Sequence, residues 1–393
     1  MYDINFYMKS YPVVKRLESG EKIPKKEIFN LFESFRSKDP IVYNIETTNA
    51  CNMRCKMCPR TTRMTRDITF LDLDCTENIV KQLKPHSKKL WSDWEKFCTE
   101  TYGISPNDNP SENHFFLYII PKVIQLHGYG DPLLDKNLGG TIQILNKYGF
   151  KSYFSCNPAN IDIEKTIEMM ENGLTFIKYS FESTDNQKFK DIRGNAANFT
   201  EAYGKTNEIL TIKQEKKLET KIIITMIDVG HDDTQQEEFR RLKKAFEDLN
   251  VYIYLKSEDQ QWYRKDPSLE SYLEEKGRVV PAQEKEFYGT NSIHWSEFCK
   301  HPWMSMTIKS DSEIHMCMED YNNEIFLGNS QENNLYDIWN GELYNKFRHD
   351  HFELTPCIKC TEECDMPKIG NYYDSSKYNA NKNHYPLVQE VCE

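Results

Sequence analysis

Residues 46–60 read ETTNACNMRCKMCPR, a stretch that holds three cysteines within eight residues: Cys51, Cys55 and Cys58. The stretch follows the apolar run IVYNI at 41–45, which is typical of a buried strand. A structural zinc site is closed by four protein ligands. Only three are local here, and neither Cys75 nor Cys98 is spaced as an obvious fourth. Three thiolates instead fit a cubane iron-sulfur cluster that leaves one iron open to an outside ligand.

Short apolar runs alternate with helical patterns downstream of this stretch. The runs are IVYNIETT from 41, VIQLHG from 123, KSYFSC from 151, FIKYSFE from 176, KIIITMI from 221 and VYIYLK from 251. Six strand-helix units in series predict a parallel sheet with right-handed crossovers, curled into a partial (β/α)6 barrel. The three cysteines then lie at the mouth of that barrel, where strand ends present ligands.

The pattern divides the chain into four segments. We predict an N-terminal helical segment at 1–40, the barrel at 41–265, a cysteine-rich module at 266–370 and a tail at 371–393. Residues 85–122 are too long for an ordinary connection and are treated as an insertion in the barrel. The insertion is either a solvated helix with a loop or a lid that covers the substrate.

Charge and hydropathy exclude several classes of partner. The formal net charge is -11 and the pI is near 5.5, which disfavours nucleic acid. Mean hydropathy is -0.73, and no run approaches the roughly 18 apolar residues of a membrane span. Without an export signal the chain is expected in the cytoplasm, where its 12 cysteines favour metal ligation over a disulfide scaffold.

The CxxxCxxC spacing on a loop leaving the first strand of a partial barrel resembles the radical S-adenosylmethionine superfamily. The resemblance implies that Cys51, Cys55 and Cys58 hold a 4Fe-4S cluster whose open iron binds S-adenosylmethionine. Met57 then matches an apolar position that packs against adenine. An electron donor such as flavodoxin or ferredoxin would reduce the cluster, and cleavage of the cofactor would release a 5'-deoxyadenosyl radical that abstracts a substrate hydrogen atom.

Other strand ends resemble the cofactor-binding motifs of this superfamily. The turn HGYGDPLL is similar to Gly-Gly-Glu-Pro, with Tyr129 in place of glycine and Asp131 in place of glutamate. Asn157 in SCNPAN matches Thr-Asn-Gly, and YSFEST makes Ser180 and Glu182 candidates for the methionyl carboxylate and the ribose hydroxyls. Arg193 in DIRGN stands where the family often has an Arg-Gly pair.

A second group of cysteines follows the barrel, at Cys299, Cys317, Cys357, Cys360 and Cys364. With LGN and LYDIWNG between them, they resemble a SPASM/twitch domain, which implies one auxiliary 4Fe-4S cluster. Cys364 is then a substitute fourth ligand or a spare thiol, and a second auxiliary cluster would need more cysteines than these five and Cys392. Structural zinc is the alternative, because paired cysteines also make a tetrahedral site.

An auxiliary cluster suits net oxidation, because a substrate radical must lose a second electron. We therefore expect a radical oxidoreductase that dehydrogenates an alcohol-like carbon of a small molecule. The alternative is a peptide-modifying enzyme that makes cross-links or epimers, although no leader-binding domain is recognised before the barrel. A zinc-binding scaffold without activity is the alternative of another class. No catalytic residue is assigned, and the polar candidates are His127, Glu258, Tyr263 and His294.

Overall fold

The computed structural model describes residues 1–257 and 299–352, apart from residues 20, 63, 110, 229–233 and 247–248. Several predicted features lie outside these residues: Cys357, Cys360, Cys364, Glu258, Tyr263, His294 and the tail at 371–393. The predicted boundaries at 265 and 370 also lie outside them.

Two helices precede the sheet, α1 (Ile4–Glu18) and α2 (Lys25–Phe35). The Asp3 side chain caps α1 by accepting a hydrogen bond from the Phe6 N–H at 2.9 Å, which satisfies one of the donors left free in the first helical turn. The fully buried Phe6 and Phe32 rings meet edge to face at 5.1 Å and join the two helices.

In the described ranges, nine strands form one sheet: β1 (Val42–Ile45), β2 (Val123–Gln125), β3 (Lys151–Cys156), β4 (Phe176–Ser180), β5 (Lys221–Asp228), β6 (Tyr252–Ser257), β7 (Met306–Ile308), β8 (Glu313–His315) and β9 (Phe326–Asn329). Their order is β6-β5-β4-β3-β2-β1-β7-β8-β9. Strands β1 to β6 are parallel, β7 adds to β1 in parallel, and β8 and β9 continue antiparallel. The predicted α/β fold with a parallel sheet is confirmed, and the C-terminal segment extends the same sheet.

The remaining helices are α3 (Pro59–Thr62), α4 (Leu73–Val80), α5 (Lys88–Tyr102), α6 (Glu112–Tyr118), α7 (Leu138–Lys147), α8 (Ile163–Glu171), α9 (Asn186–Arg193), α10 (Phe199–Glu215), α11 (Gln235–Phe246), α12 (His301–Met304), α13 (Leu335–Asn340) and α14 (Glu342–Phe352). Helices α4, α7, α8, α10 and α11 cover one face of the parallel strands, where Ile142, Ile177 and Ile224 are fully buried. Within the described part of the chain, no helix is both long and apolar enough to span a membrane.

Helices of the insertion cover the opposite face of the sheet together with α1. The indole of Trp94 in α5 is fully buried and donates a hydrogen bond to the Leu117 carbonyl in α6 at 2.7 Å. The same apolar cluster includes Val123, Phe176 and Tyr252, the first residues of β2, β4 and β6. The described helices of the insertion therefore have a face buried against α1 and the sheet, unlike the expected solvated helix. A role as a lid stays a prediction.

Candidate cluster and cofactor site

The three-cysteine loop rests on the carboxyl end of α9. The Arg54 N–H donates to the Arg193 carbonyl at 2.9 Å, and the Lys56 N–H donates to the Ile192 carbonyl at 3.0 Å. Met53, which is 2% exposed, packs into a small apolar cluster with Phe189, Ala197 and two of the cysteines. Backbone hydrogen bonds and one buried methionine thus hold the loop in a fixed shape.

Burial dominates the chemistry of the three thiols in the absence of a ligand. It raises the pKa of Cys51 above its ordinary value, that of Cys55 to about 12 and that of Cys58 to about 11. Thiols with such pKa values are protonated at neutral pH, and bound iron would stabilise the thiolate forms instead. The loop therefore supplies the sulfur donors that a metal cluster needs. Bound metal would stabilise the negative charge of their thiolate forms.

A buried ion pair lies beside the thiols. Arg193 donates two hydrogen bonds to the Glu182 carboxylate, one of them at 2.6 Å, and its third nitrogen lies 3.9 Å from the Cys55 sulfur. Burial opposes the charge of Arg193, but Glu182 and Cys55 together hold its pKa above the ordinary value. A permanent cation therefore faces the cysteine loop. Because Arg193 occupies the Glu182 carboxylate, the role of Glu182 toward a ribose remains a prediction.

Asp131 joins the ends of β2 and β3 to the loop. Its N–H donates to the Ala50 carbonyl at 2.8 Å, one residue before the first cysteine. Its carboxylate accepts hydrogen bonds from the Asn157 N–H at 3.1 Å, the Leu133 N–H at 3.1 Å and the Asn160 amide at 2.7 Å. Burial raises the pKa of Asp131 above its ordinary value, although these donors oppose the rise. The carboxylate holds the turn together, and its contact with a cofactor remains a prediction.

The other predicted contact residues lie along the same carboxyl edge. The Asn157 amide is 3.5 Å from the sulfur of Met53 in the cysteine loop. The Ser180 hydroxyl, in a side chain that is 6% exposed, lies 3.4 Å from the Ser155 hydroxyl on the neighbouring strand. Met57 is half-buried within the loop itself. The fold therefore brings these side chains to one edge, while their individual roles remain predictions.

Glu46 was missed by the sequence analysis, although it stands at the carboxyl end of a buried strand. Its fully buried carboxylate accepts two hydrogen bonds from Arg66, each 2.9 Å long, and one from the Ser310 hydroxyl at 3.2 Å. Burial alone would raise the pKa of Glu46, but the cations of Lys309 and Arg66 hold it below the ordinary value. Glu46 therefore links the barrel, the segment after the cysteine loop and the C-terminal segment.

The turn Gly128-Tyr129-Gly130, called the GYG turn below, lies against the end of β1 because two of its residues are glycines. A Cβ on Gly130 would overlap the Thr48 carbonyl and come within 2.8 Å of the Ala50 carbonyl, both of which are backbone atoms. A Cβ on Gly128 would overlap the Glu46 carboxylate. The turn can approach the cysteine loop only because these positions carry no side chain.

We expect Gly130→Ala to lower the free energy of unfolding by about 1–3 kcal/mol, because the obstructing atoms are backbone and cannot rotate away. Gly204→Ala is the matched control, since an added Cβ in the interior of α10 meets nothing within 4 Å. That control should gain about 0.5–1 kcal/mol from reduced freedom of the unfolded chain. Urea unfolding of both variants checks the contrast, and equal effects would contradict it.

His127 follows β2, and its hydrogen bond and pKa indicate which ring nitrogen carries the proton. Its Nδ1 accepts a hydrogen bond from the Ser155 N–H at 3.2 Å. Burial, with a smaller contribution from Lys178, lowers the pKa of His127 to about 3. The ring is therefore neutral at pH 7, with its proton on Nε2. His127 is thus a hydrogen-bond donor at this position and is not suited to act as a general base.

The described part of the C-terminal segment contains two of the predicted auxiliary ligands. Cys299 is 8% exposed, and its N–H donates to Nε2 of the buried His351 at 3.2 Å. Cys317 is half-buried and lies two residues after β8. A histidine on α14 and a strand end therefore position these two cysteines.

Comparisons with known proteins agree with this arrangement. Residues 299–361 match the model of the SPASM family, an iron-sulfur cluster-binding domain. The structure of SuiB from Streptococcus suis bound to its precursor peptide SuiA has a TM-score of 0.52 and 13% identity, over 94% of this chain and 79% of that one. SuiB bound to S-adenosylmethionine has a TM-score of 0.51 and 14% identity, over 94% and 80%. BtrN in complex with AdoMet and 2-DOIA has a TM-score of 0.44 and 14% identity, over 85% and 96%. No curated protein sequence matches at a significant level.

The sheet order and the SPASM match agree with the class that the cysteine motifs predicted. The fold is like that of SuiB, and residues 299–361 match an iron-sulfur cluster-binding domain. Both findings support the predicted class of radical S-adenosylmethionine enzymes with a SPASM domain, and with it the predicted cofactors, 4Fe-4S clusters and S-adenosylmethionine.

Proposed function

We propose that this protein is a radical S-adenosylmethionine oxidoreductase that dehydrogenates an alcohol-like carbon of a small molecule, with its auxiliary cluster as the acceptor of the second electron. The observation that carries the proposal is the proximity of the two cysteine sites. The turn that holds Tyr129 lies against the first site, because the Asp131 N–H donates to the carbonyl of Ala50, the residue before Cys51, at 2.8 Å. The Tyr129 hydroxyl lies 3.1 Å from the carboxylate of Glu319, two residues after Cys317 of the second site. The two cysteine segments therefore meet at one turn.

The site residues described above have the following roles in this proposal. Cys51, Cys55 and Cys58 hold the cluster that, with S-adenosylmethionine, supplies the radical for hydrogen abstraction. Arg193 lies next to Cys55 and balances the negative charge of the bound thiolates, while Glu182 fixes its orientation. Asp131 keeps the neighbouring strand ends in register. Removal of one hydrogen atom, one proton and one electron from the substrate completes a two-electron oxidation.

His127 supports a substrate that carries an oxygen acceptor. Its Nδ1 is engaged by the Ser155 N–H, so the neutral ring has its Nε2–H to donate. A donor at the carboxyl end of β2 suits a hydroxyl or carbonyl oxygen better than an apolar group. An alcohol carbon that becomes a carbonyl presents an acceptor oxygen both before and after oxidation.

The test is anaerobic incubation of the reconstituted chain with S-adenosylmethionine, dithionite and sets of small alcohols, amino alcohols, sugars or peptides. We expect 5'-deoxyadenosine to form faster with a small alcohol than without substrate, and deuterium from the alcohol carbon to appear in it. Stimulation by peptides alone would favour peptide modification instead. Zinc in place of iron after reconstitution would contradict the enzyme proposal altogether.

The cluster loop also suits an acidic electron donor such as flavodoxin or ferredoxin. Residues 51–66 include five lysines and arginines and no acidic residue, in a chain whose net charge is -11. Arg54 and Lys56, which flank Cys55, are both exposed. Opposite charges accelerate the encounter of two proteins, and a basic surface at the cluster would attract an acidic carrier.

We expect the double variant Arg54→Glu/Lys56→Glu to be reduced at least ~10-fold more slowly by reduced flavodoxin at low ionic strength. Reduction by excess dithionite should reach the same extent as in the parent, because neither side chain binds the cluster. Lys89→Glu/Lys96→Glu on α5 makes the same charge change on highly exposed lysines and is the control. Stopped-flow bleaching of the cluster measures both, and equal rates for the two variants would contradict docking at the loop.

A further inference from the structure

Tyr129 stands between the two glycines of the GYG turn, where the resemblance leads one to expect a third small residue. Its N–H donates to the Glu46 carboxylate at 3.1 Å. Because Gly128 and Gly130 both press against the end of β1, the backbone of this turn cannot shift. The direction of the Tyr129 side chain, which is 7% exposed, is therefore fixed from both sides.

The side chain of Tyr129 leaves the barrel and enters the C-terminal segment. Its hydroxyl donates a hydrogen bond to the Glu319 carboxylate at 3.1 Å. Its ring meets the ring of Tyr321 edge to face with centroids 6.0 Å apart, and the Lys309 ammonium lies 5.6 Å from its centroid. All three partners follow β1 by more than 250 residues, so these contacts exist only in the assembled fold.

Both cysteine segments lie beside this turn. The N–H of Asp131, two residues after Tyr129, donates to the carbonyl of Ala50 at 2.8 Å, and Ala50 immediately precedes Cys51. Glu319 is also only two residues from Cys317 along the chain.

We propose that Tyr129 is a positioning residue for the auxiliary cluster, which holds the Glu319 carboxylate beside Cys317 and thereby sets the reduction potential of that cluster. Nearby charge and hydrogen bonding determine the potentials of iron-sulfur clusters. A carboxylate disfavours the reduced cluster, which carries one more negative charge. The Tyr129 hydroxyl moderates this effect by donating to the carboxylate. The inference rests on the proposed function, in which the auxiliary cluster accepts an electron.

The test compares reduction potentials in the full-length chain with both clusters, and again in the Cys51→Ala/Cys55→Ala/Cys58→Ala chain, which keeps only the auxiliary one. We expect Glu319→Gln to raise the midpoint potential and Tyr129→Phe to lower it. The double variant should behave like Glu319→Gln, because the tyrosine acts through the carboxylate. Tyr336→Phe is the matched control, since Tyr336 is half exposed on α13. Redox titration followed by electron paramagnetic resonance gives the potentials.

Iron content should equal that of the parent in every variant at positions 129 and 319, because no thiolate is removed. An unchanged potential in Tyr129→Phe beside a shifted one in Glu319→Gln would overturn the proposal. A loss of iron in Tyr129→Phe would also overturn it, by assigning the tyrosine to assembly of the site. The reduction potentials and iron contents are measured without cleavage of S-adenosylmethionine. Failure of the proposed function would therefore show separately, as intact clusters that form no 5'-deoxyadenosine.

Discussion

Replacement of Cys51, Cys55 and Cys58 by alanine is expected to abolish formation of 5'-deoxyadenosine from S-adenosylmethionine. The three thiols are the only cysteines in the loop after β1, and without them no open iron exists to bind the cofactor. Iron should fall from about eight atoms per chain to about four, since the auxiliary cysteines remain. Metal analysis and chromatography of the anaerobic reaction mixture measure the two effects.

Cys75→Ala is the matched control for this triple variant. Cys75 is 5% exposed and its sulfur lies 3.3 Å from the Ser312 hydroxyl, away from the loop. It should keep its full iron content and its cleavage of S-adenosylmethionine. Retention of about eight irons by the triple variant would show that other residues bind the first cluster, and it would refute the assignment of this loop.

Glu46→Ala is expected to lower the free energy of unfolding by about 3–5 kcal/mol. The Glu46 side chain is fully buried and that of Arg66 is 6% exposed, with Lys309 buried beside them. Removal of the carboxylate takes away the nearest counter-charge of two buried cations, and only the more distant Asp311 carboxylate, 3.9 Å from Arg66, still pairs with that side chain. Breaking one side of a buried ion pair in this way is strongly destabilising. Urea denaturation followed by tryptophan fluorescence measures the change.

Glu21→Ala is the control for this prediction. Glu21 pairs with Arg16 at 2.6 Å, but both side chains are 45% exposed. Solvent screens such a pair, so the variant should lose no more than about 1 kcal/mol. Equal losses in Glu46→Ala and Glu21→Ala would show that the buried network contributes no more than a surface pair.

The Glu46 network also predicts how stability depends on pH. The folded-state pKa of Glu46 lies below its ordinary value, because the cations outweigh burial. Its contribution should therefore be complete above about pH 4.3, the ordinary glutamate pKa, and be lost as the pH falls through the lower folded value. The difference in unfolding free energy between the parent and Glu46→Gln should shrink over that acidic range. A difference that grows on acidification would contradict the predicted sign.

The alternation of apolar runs and helical patterns was enough to predict the parallel strands. Each of the six predicted runs overlaps a strand of the sheet, and the last two strands extend one residue beyond their runs, because strands buried on both faces are largely apolar. The SPASM resemblance could also be found from the sequence, because the cysteine spacing and the LGN and LYDIWNG stretches between the cysteines are visible without the fold. The insertion could not be placed from sequence. Its pattern left a solvated helix with a loop and a lid as the alternatives, and only the tertiary structure shows Trp94 fully buried against Tyr7 of α1.

The sequence by itself was enough to predict an iron-sulfur site at Cys51, Cys55 and Cys58, because the three cysteines lie within one loop and their spacing is local. Only the tertiary structure decided which partners surround that loop. Glu46 meets Arg66 and Ser310, and Tyr129 meets Glu319, across separations of 20 to 264 residues. Such pairings follow from strand order, since the addition of β7 beside β1 brings the C-terminal segment against the cysteine loop. Local sequence patterns do not predict which distant segments meet in this way.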